Sequence, residues 1–496
     1  MNRSIATLAG AVLLAGCTVG PNYKEPQTRL PDDYGNYATP VAKASATQPA
    51  ATQPATMPAV PVTNAWWNSF NDPALDRLIE EAAAQSLPLR AAAARVVQAR
   101  ALRGVAASAW WPTVDGSGSY TRAKGSKTVN RGGISVGPGG TVSGAGAETD
   151  FWQAGFDASW EIDVFGGIRR SVEAATADIE ATIADRNDVL LTLLGDVARN
   201  YMELRGAQRE VAIAQENVVA QRQTLELTRA KLNAGLTSDL DVARSEAQVT
   251  ATESTIPRLQ AAVAQSIHQL SILLAKAPNE LEGQLGQPQP IPLPPPQVPI
   301  GLPRDLLRRR PDVRRAERNL AAATARVGVA TAQLYPRFTL SGQLGQQSSK
   351  FTNLFDSAST FWSLGPGFTV PIFNAGEIRS NIAAEKAVVD EALANYQQTV
   401  LNSLAEVEDA LVNYQKEFVR RESLAASVAA NQRAVSLSQQ LYQRGLTNFL
   451  DVLDSQRALF TSQDALAQSD TQVSANAVAL LKALGGGWDE KSVNPQ

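Results

Sequence analysis

The 496-residue sequence contains one cysteine and one histidine. A disulfide framework therefore cannot form, and neither can a Cys/His metal cluster or a Cys–His catalytic pair. Lysine and arginine total 45 against 48 aspartates and glutamates, so the basic excess typical of a nucleic-acid-binding protein is missing. Beyond the N-terminal leader, no apolar run approaches the roughly 18 residues of a membrane-spanning helix. We also find no nucleophile–base pair and no phosphate-binding loop, so the sequence predicts no catalytic or metal site.

Residues 1–16 have the pattern of a secretory signal peptide, in which Arg3 supplies the positive charge and residues 5–15 the short apolar core. The small residues before Cys17 resemble the lipobox of bacterial lipoproteins. An ordinary signal with a chance cysteine is the alternative, but the only cysteine of the chain stands at the required position. The resemblance implies cleavage before Cys17 and a covalent lipid on Cys17, with no other cofactor. Thr18, rather than aspartate, at the next position implies transfer to the outer membrane.

Residues 17–63 are predicted to be a lipid-anchored, extended tether. The stretch 39–62 is rich in alanine, proline and threonine and carries the motif Thr-Gln-Pro-Ala twice. Such a composition cannot bury a hydrophobic core.

The rest of the chain contains an internal two-fold repeat. Phe151-Trp152 recurs as Phe361-Trp362, and Gly235-Leu236-Thr237 recurs as Gly445-Leu446-Thr447, in both cases 210 positions later. A constant offset over such a distance indicates duplication.

Each copy is predicted to hold a helix, a β-hairpin, a very long helix and a returning helix. Repeat 1, residues 64–276, has a helix from Leu75 to Ala109, the hairpin 113–121/151–163, the long helix 166–232 and the return helix 239–275. Repeat 2, residues 304–484, has a helix from Arg304 to Leu334, the hairpin 337–346/361–372, the long helix 376–443 and the return helix 448–484. A proline-rich linker, 277–303, separates the repeats, and 485–496 form a C-terminal tail.

The predicted strands alternate between apolar and polar residues. On one side of the strand 151–163 lie Trp152, Ala154, Phe156, Ala158, Trp160 and Ile162, and on the other lie Gln153, Gly155, Asp157, Ser159, Glu161 and Asp163. A period of two gives a sheet with one apolar and one polar face. A soluble sheet packed on a core is the alternative, but the secretory signal favours a transmembrane barrel.

The long helices show the apolar spacing of three and four residues that is typical of coiled coils. About 65 helical residues at 1.5 Å each span roughly 100 Å. Gly235 and Gly445 are suited to end the long helices, and Ser238 and Asn448 to cap the returning ones. Each copy is therefore predicted to form a helical hairpin.

Two β-hairpins give one chain four strands, which are too few to enclose a lumen. An open sheet edge is not tolerated in lipid, so other copies must complete the sheet. Three chains would supply 12 strands closed by symmetry.

Several motifs are distributed over nearly the whole chain. They are Cys17-Thr18-Val19-Gly20-Pro21-Asn22-Tyr23, Trp66-Trp67 with Phe70, Asp72-Pro73 and Leu75, Arg309-Arg310-Pro311-Asp312-Val313-Arg314, Phe373-Asn374-Ala375-Gly376, Glu406-Val407-Glu408-Asp409-Ala410 and Tyr442 through Leu459. With these motifs the sequence resembles the outer-membrane factors of tripartite efflux pumps, the TolC-like family, and within it the OprM/NodT-type lipoproteins.

The resemblance implies a mixed α+β membrane protein in the bacterial outer membrane. In it, a homotrimer would form a 12-stranded transmembrane β-barrel that continues as an α-helical coiled-coil barrel into the periplasm. A mixed equatorial belt is expected at residues 64–74, 277–303 and 485–496. The implied partners are a periplasmic adaptor protein, an inner-membrane RND transporter and outer-membrane lipid, with no nucleic acid.

The resemblance also assigns a periplasmic gate to Leu450, Asp454 and Arg457. Three copies of Leu450 near an axis would form an apolar constriction. Arg457 lies three residues after Asp454 and could pair with it or with a neighbouring chain. An ordinary surface ion pair, worth about 0–1 kcal/mol, is the alternative.

The predicted function is a passive exit channel for drugs or other small toxic compounds. The adaptor is expected to contact the hairpin tips, which comprise Gly235, Leu236, Thr237, Ser238, Gly445, Leu446, Thr447 and Asn448. The alternatives are a type I secretion or metal-ion efflux duct of the same fold and, with less support, a structural coiled-coil envelope lipoprotein. His268 is predicted to be buried or interfacial. The arginines at 308–310 and 314–315 are predicted to form a solvated helix start paired with acids.

Overall fold

The computed structural model describes residues 18–26, 35, 65–124, 126, 134–136, 140–142, 148–294 and 309–487. The predicted signal peptide, Cys17, most of the tether, the end of the linker and most of the C-terminal tail lie outside these residues. The chain forms two compact units. The sheet unit comprises Met1–Pro26, Val97–Ala181 and Glu317–Asn395, and the helical unit comprises Gln27–Val96, Thr182–Ala316 and Tyr396–Gln496.

The two units do not follow the two sequence repeats. Each unit takes segments from both copies, because the strands of both copies join one sheet and the helices of both copies share one core. The predicted repeats, residues 64–276 and 304–484, therefore describe the duplication of the sequence, and they do not coincide with the compact units.

Eight α-helices are distinguished in the described residues. They are α1 (Pro73–Gln85), α2 (Leu87–Ser108), α3 (Gly167–Asn233), α4 (Asp239–Leu273), α5 (Glu282–Leu285), α6 (Pro311–Ala332), α7 (Glu377–Gln443) and α8 (Phe449–Ala483). The strands are β1 (Thr113–Lys124), β2 (Ile134–Val136), β3 (Gly140–Val142), β4 (Glu148–Ile162), β5 (Arg337–Ser348) and β6 (Thr360–Thr369). A short 3-10 helix, Trp66–Phe70, precedes α1.

The helix predicted from Leu75 to Ala109 is in fact two helices, α1 and α2, which meet at Ser86. Ser86 has an extended backbone, with φ −53° and ψ 127°. The break follows from Pro88, because a proline inside a continuous helix lacks the N–H donor and clashes with the carbonyl four residues earlier. At the second helical position of α2 the missing donor costs nothing. Similarly, α6 begins at Pro311.

The long helices α3 and α7 each have 67 residues, and the return helices α4 and α8 each have 35. Their ends lie within two residues of the sequence-based bounds, which is the usual uncertainty of helix ends. The equal lengths reflect the duplication.

None of the helices in the described part of the chain is both long enough and apolar enough to cross a membrane.

The four-stranded sheet has the order β1-β4-β5-β6, and every neighbouring pair is antiparallel. The first hairpin is longer than predicted, because the ladder continues to the pair Lys124 and Glu148. The segment predicted to be only a loop also contains the paired strands β2 and β3. The second hairpin ends earlier than predicted, at Thr369, since Pro371 has no N–H to donate.

The core of the helical unit is built from helices of both copies. Its buried side chains include Trp66, Leu75, Tyr201, Leu270, Val407 and Leu481. The Tyr201 hydroxyl donates to Asp72 Oδ2 at 2.7 Å, and Asp72 Oδ1 accepts from the backbone N–H of Ala74 at the start of α1. Burial and this hydrogen bond raise the pKa of Tyr201 to about 12. One buried network thus joins the N-terminus of α1 to α3.

Two predictions about charged or titratable residues need correction. Arg310 is buried, and not solvated, and its guanidinium lies 2.7 Å from both Asp312 Oδ2 and Glu406 Oε2. Burial opposes charge on both groups, yet the carboxylates of Asp312 and Glu406 raise the pKa of Arg310, and the guanidinium of Arg310 lowers the pKa of Asp312. His268 is exposed in the single chain, so it is not buried there, and an interfacial position stays a prediction.

Candidate functional site

The sheet presents an apolar face that is open to the surroundings of the single chain. Trp362, Leu364 and Phe368 are 74%, 67% and 71% exposed. The apolar face also includes Val114, Phe156 and Leu344, which are more than half exposed. Soluble monomers rarely expose such a contiguous apolar patch. This face has the chemistry of a lipid-facing surface.

The opposite, polar face carries short polar side chains and glycines. Cross-strand neighbours on it include Asp157 with Gln343 and Gln343 with Ser363. The Ser117 hydroxyl donates to Asp157 Oδ2 at 3.1 Å on the same face. Because all three strand pairs keep one unbroken register, the apolar and polar sides stay separate across the whole sheet.

Aromatic rings mark both ends of the apolar face. At the end remote from the helices, Tyr120 stacks on Trp152 with the ring centroids 4.2 Å apart. The rings of Phe351 and Trp152 are in edge-to-face contact there, with their centroids 4.9 Å apart. At the other end, Trp160 Nε1 donates to the carbonyl of Trp110 at 2.9 Å. Aromatic girdles at two levels are typical of strands that cross an outer membrane.

The sheet has two open edges within the described residues, since β1 pairs only with β4 and β6 pairs only with β5. The outward N–H and C=O groups of these edge strands need partners. In hydrocarbon no water can supply them, so an open edge there would be strongly unfavourable.

The N-terminal residues 18–22 pack onto the junction between β4 and α3. The backbone N–H of Val19 donates to the carbonyl of Phe165 at 3.1 Å. The buried guanidinium of Arg170 donates to the carbonyl of Val19 at 3.2 Å and to Asn22 Oδ1 at 2.6 Å. Thr18 lies against Gly166, where an added methyl group would stand 2.6 Å from the threonine side chain. Sequence reasoning missed this contact.

Both helical hairpins turn through the same motif. Gly235 and Gly445 have φ of 72° and 75°, a left-handed conformation that favours glycine. The N–H groups of Leu236 and Leu446 return to the carbonyls of Lys231 and Leu441, at 2.8 and 2.9 Å. These are the bonds of a Schellman motif, which pairs the last carbonyls of a helix.

The predicted gate residues lie on the first turns of α8. Leu450 is 43% exposed, and Asp454 and Arg457 are also exposed in the single chain. Arg457 does not pair with Asp454, as one prediction allowed. Instead its Nε donates to Gln248 Oε1 on α4 at 2.6 Å. The arginine therefore ties the return helix of the second copy to that of the first.

Further polar contacts near the tips were not predicted from the sequence. Gln456 Nε2 donates to Thr224 Oγ1 at 2.8 Å, which joins α8 to α3. The Lys231 ammonium donates to the carbonyl of Tyr442 and lies 4.0 Å from the centre of its ring. Such pairs join residues more than 200 positions apart, so no local pattern signals them.

No group of three or more potential metal ligands comes together within the ranges that the structure describes. The absence of a cofactor stays a prediction.

A sheet with one exposed apolar face, joined by its strand ends to very long helical hairpins, defines an outer-membrane channel. The chain belongs to the outer membrane efflux protein family, which it matches over residues 78–276 and 302–486.

Individual relatives agree with this assignment over almost the whole chain. Nodulation protein T of Rhizobium leguminosarum bv. trifolii is 31% identical over 97% of this chain and 96% of its own length. The solvent efflux pump outer membrane protein SrpC of Pseudomonas putida is 32% identical over 96% of this chain and 97% of its own. The solved structure of the outer-membrane channel OprN superposes with a TM-score of 0.84 at 36% identity, covering 95% of this chain and 100% of that one. The protein is thus an outer-membrane efflux channel, as the sequence predicted.

Proposed function

We propose that three copies of the chain close their four-stranded sheets into one 12-stranded transmembrane barrel, with the apolar face in lipid and the polar face around the pore. The observation that carries the proposal is the pair of open edges, β1 and β6, on a sheet whose apolar face is exposed. Only a partner edge can pair these backbone groups inside a membrane. A ring of identical subunits supplies that edge without leaving another one open.

Adjacent residues on opposite faces of β6 provide a test. Leu364→Arg puts a cation into lipid at a cost of about 2–4 kcal/mol per strand near the midplane, and a trimer carries it three times. We expect this variant to lose outer-membrane insertion, whereas Ser363→Arg inserts normally. Extraction from membrane fractions, followed by mass determination in detergent, measures both insertion and the expected three-chain mass.

If Leu364→Arg and Ser363→Arg insert equally well, or if the wild type has the mass of a single chain, the barrel is contradicted.

The same proposal includes a lipid anchor on Cys17. It is supported by Thr18, Val19 and Asn22, which contact Gly166, Phe165 and Arg170 just past the end of β4. An acyl chain on the preceding residue would start close to the membrane boundary. Several acyl chains, each contributing about 0.8 kcal/mol per buried CH₂, hold a protein firmly.

We further propose that the periplasmic end is a gate and a docking site. Three copies of Leu450 would form an apolar constriction, and Asp454 an anionic ring beside it. The adaptor would contact the tips at Gly235–Ser238 and Gly445–Asn448, which are exposed around the glycines. The inner-membrane RND transporter would supply the energy, so the channel itself is passive.

Small apolar toxic compounds are the proposed cargo. SrpC is named for solvent efflux and a second Pseudomonas putida relative, TtgI, for toluene efflux, both 32% identical to this chain. Metal-ion efflux is the second candidate, because the cation efflux protein CusC of Escherichia coli is 29% identical over 97% of the chain. The chain has only three methionines, which weighs against a methionine-lined path for soft metal ions. A type I secretion duct is a further alternative of the same fold.

A further inference from the structure

Two phenylalanines interrupt the polar face of the sheet. Strand alternation puts Phe151 and Phe361 on the side of Gln153, Ser363 and Gly365. Their neighbours Trp152 and Trp362 belong to the apolar side. On the polar face of β1, β4, β5 and β6, which are described throughout, these two are the only aromatic residues. Nothing in the lipid-facing role of the sheet accounts for them.

The contacts of Phe361 establish its orientation. Its cross-strand partner is Gly345, and a methyl group on Gly345 would stand 2.9 Å from the Phe361 ring carbon Cε1. The ring therefore lies over the glycine backbone on the polar side. Gly345 in turn pairs with Gly155, where a methyl group would come 2.8 Å from the Gly345 Cα. The two glycines therefore let their strands approach closely, and the Phe361 ring lies against Gly345.

Phe151 occupies the equivalent position of the first copy. It is separated from Phe361 by the same 210 residues as the other repeat matches, and its cross-strand partner Thr121 corresponds to Gly345. The stack of Tyr120 on Trp152 occupies the apolar side of the same strands, so Phe151 projects from the polar side. Both phenylalanines are half-buried.

Both residues lie at the strand ends remote from the helices. Phe151 is near the beginning of β4, whose other end leads to α3, and Phe361 is the second residue of β6, whose other end leads toward α7. In the proposed channel the helices extend into the periplasm, so these strand ends are at the outer mouth. If the two copies are related by rotation about the pore, the two phenylalanines are at one level.

We propose that Phe151 and Phe361 of three subunits form a ring of six aromatic side chains on the wall of the outer mouth, and that this ring contacts planar aromatic solutes as they leave. The proposal rests on the proposed trimeric barrel. Twelve strands about 4.8 Å apart and tilted about 45° give a backbone radius of roughly 13 Å. Phenylalanine rings reach about 5 Å inward, so the ring lines the mouth without closing it.

A planar aromatic cation such as rhodamine 6G, added to the outer side of channels in a planar bilayer, tests the proposal. A planar aromatic solute binds more tightly where it stacks on an aromatic ring. We therefore expect Phe151→Leu with Phe361→Leu to raise the half-blocking concentration about fivefold to tenfold. Phe361→Trp should retain block, because it keeps an aromatic face. Gln153→Leu, on the same polar face but outside the ring, should also behave as the wild type. An unchanged half-blocking concentration in the double leucine variant would overturn the ring.

Site-directed labelling separates failure of the ring from failure of the barrel. Cys17 is the only cysteine of the chain and is expected to be blocked by lipid, so Phe361→Cys and Trp362→Cys can each be followed alone. A charged, water-soluble maleimide should react at position 361 and not at 362. Reaction at 362 instead of 361 would reject the assignment of faces, and with it the barrel and the ring together. Reaction at 361 without any effect of the leucine variants on block would reject the ring alone.

Discussion

The two helical hairpins share one turn geometry but differ in the side chains just beyond it. The backbone φ of Gly235 and Gly445 agrees within 3°, from 72° and 75°. Thr237 and Thr447 each donate their hydroxyl to the aspartate four residues on. Beyond the turn, Arg244 lies 3.8 Å from Asp241 within its own helix, whereas the equivalent position of the second copy is Asp454.

The comparison shows that the two copies share the backbone of the turn, whereas the exposed side chains beyond it differ. The turn is fixed by backbone hydrogen bonds and by the left-handed glycine, which no other residue type replaces cheaply. The exposed positions of the next turns carry no such constraint. One hairpin could therefore acquire the carboxylate and the arginine that the proposed gate needs.

The largest expected effect comes from removing the two charged residues Asp454 and Arg457 from the second hairpin only. Asp454→Ala with Arg457→Ala eliminates the anionic ring and the 2.6 Å bond from Arg457 to Gln248. We expect the single-channel conductance in planar bilayers to rise severalfold, because the tips of α8 lose a tie to α4.

The matched control is Arg244→Ala in the first hairpin, where the position equivalent to Arg457 is already Ala247, and it should leave conductance nearly unchanged. Equal increases from the two variants would mean that the hairpins contribute alike, and no increase from either would reject the gate assignment.

A smaller difference is expected from the helix caps. Asn448 Oδ1 accepts from the N–H of Asp451 at 3.1 Å, whereas the Ser238 hydroxyl donates to Asp241 Oδ2 and accepts no backbone N–H. Asn448→Ala should therefore destabilise its hairpin by about 1 kcal/mol, and Ser238→Ala by clearly less. Hydrogen exchange of the amides in the first turns of α8 and α4 measures each hairpin separately. A larger increase in α4 exchange from Ser238→Ala than in α8 exchange from Asn448→Ala would contradict the cap geometry.

The smallest effect concerns the carboxyl groups of Glu210 in the first copy and Asp464 in the second, which influence each other electrostatically. Burial, followed by the charge of Asp464, raises the pKa of Glu210, while Arg258 opposes the rise. Burial raises the pKa of Asp464 as well. A carboxyl group whose pKa is raised in the folded state is easier to protonate there than in the unfolded chain. The free energy of unfolding therefore decreases as the pH rises through the folded pKa and the group becomes charged.

Glu210→Gln should therefore raise the urea midpoint at pH 8 and leave it nearly unchanged at pH 4. Arg420→Gln, at the equivalent position of the second copy, is the control and should show no such dependence. A larger increase of the urea midpoint by Glu210→Gln at pH 4 than at pH 8 would contradict a raised pKa of Glu210.

Local patterns were sufficient for much of this fold. The helix ends at Asn233 and Gln443, the tip glycines and the alternation around Trp152 follow from rules that involve a few neighbouring residues. They fail where the deciding contact is distant. The division at Ser86 was overlooked because the apolar pattern continues past Pro88, and Arg310 was taken for a solvated residue because its partner Glu406 is almost a hundred positions away.

The candidate site divides in the same way. The exposed tips and the two sheet faces could be predicted, since a turn motif and a two-residue period determine them locally. The partner of Arg457 could not, because Gln248 and Asp454 are both chemically suitable, and only the packing of α8 against α4 selects the glutamine.

By itself, the sequence determined the duplication, the lengths of the helices and the polar and apolar sides of the strands, because each is written in spacing along one chain. The tertiary structure decided that strands of both copies join one sheet, that residues 18–22 dock beside Gly166, and that Phe361 lies on Gly345. Those outcomes depend on which of many compatible surfaces meet in space, and the free energy of that choice is a property of the whole packed chain.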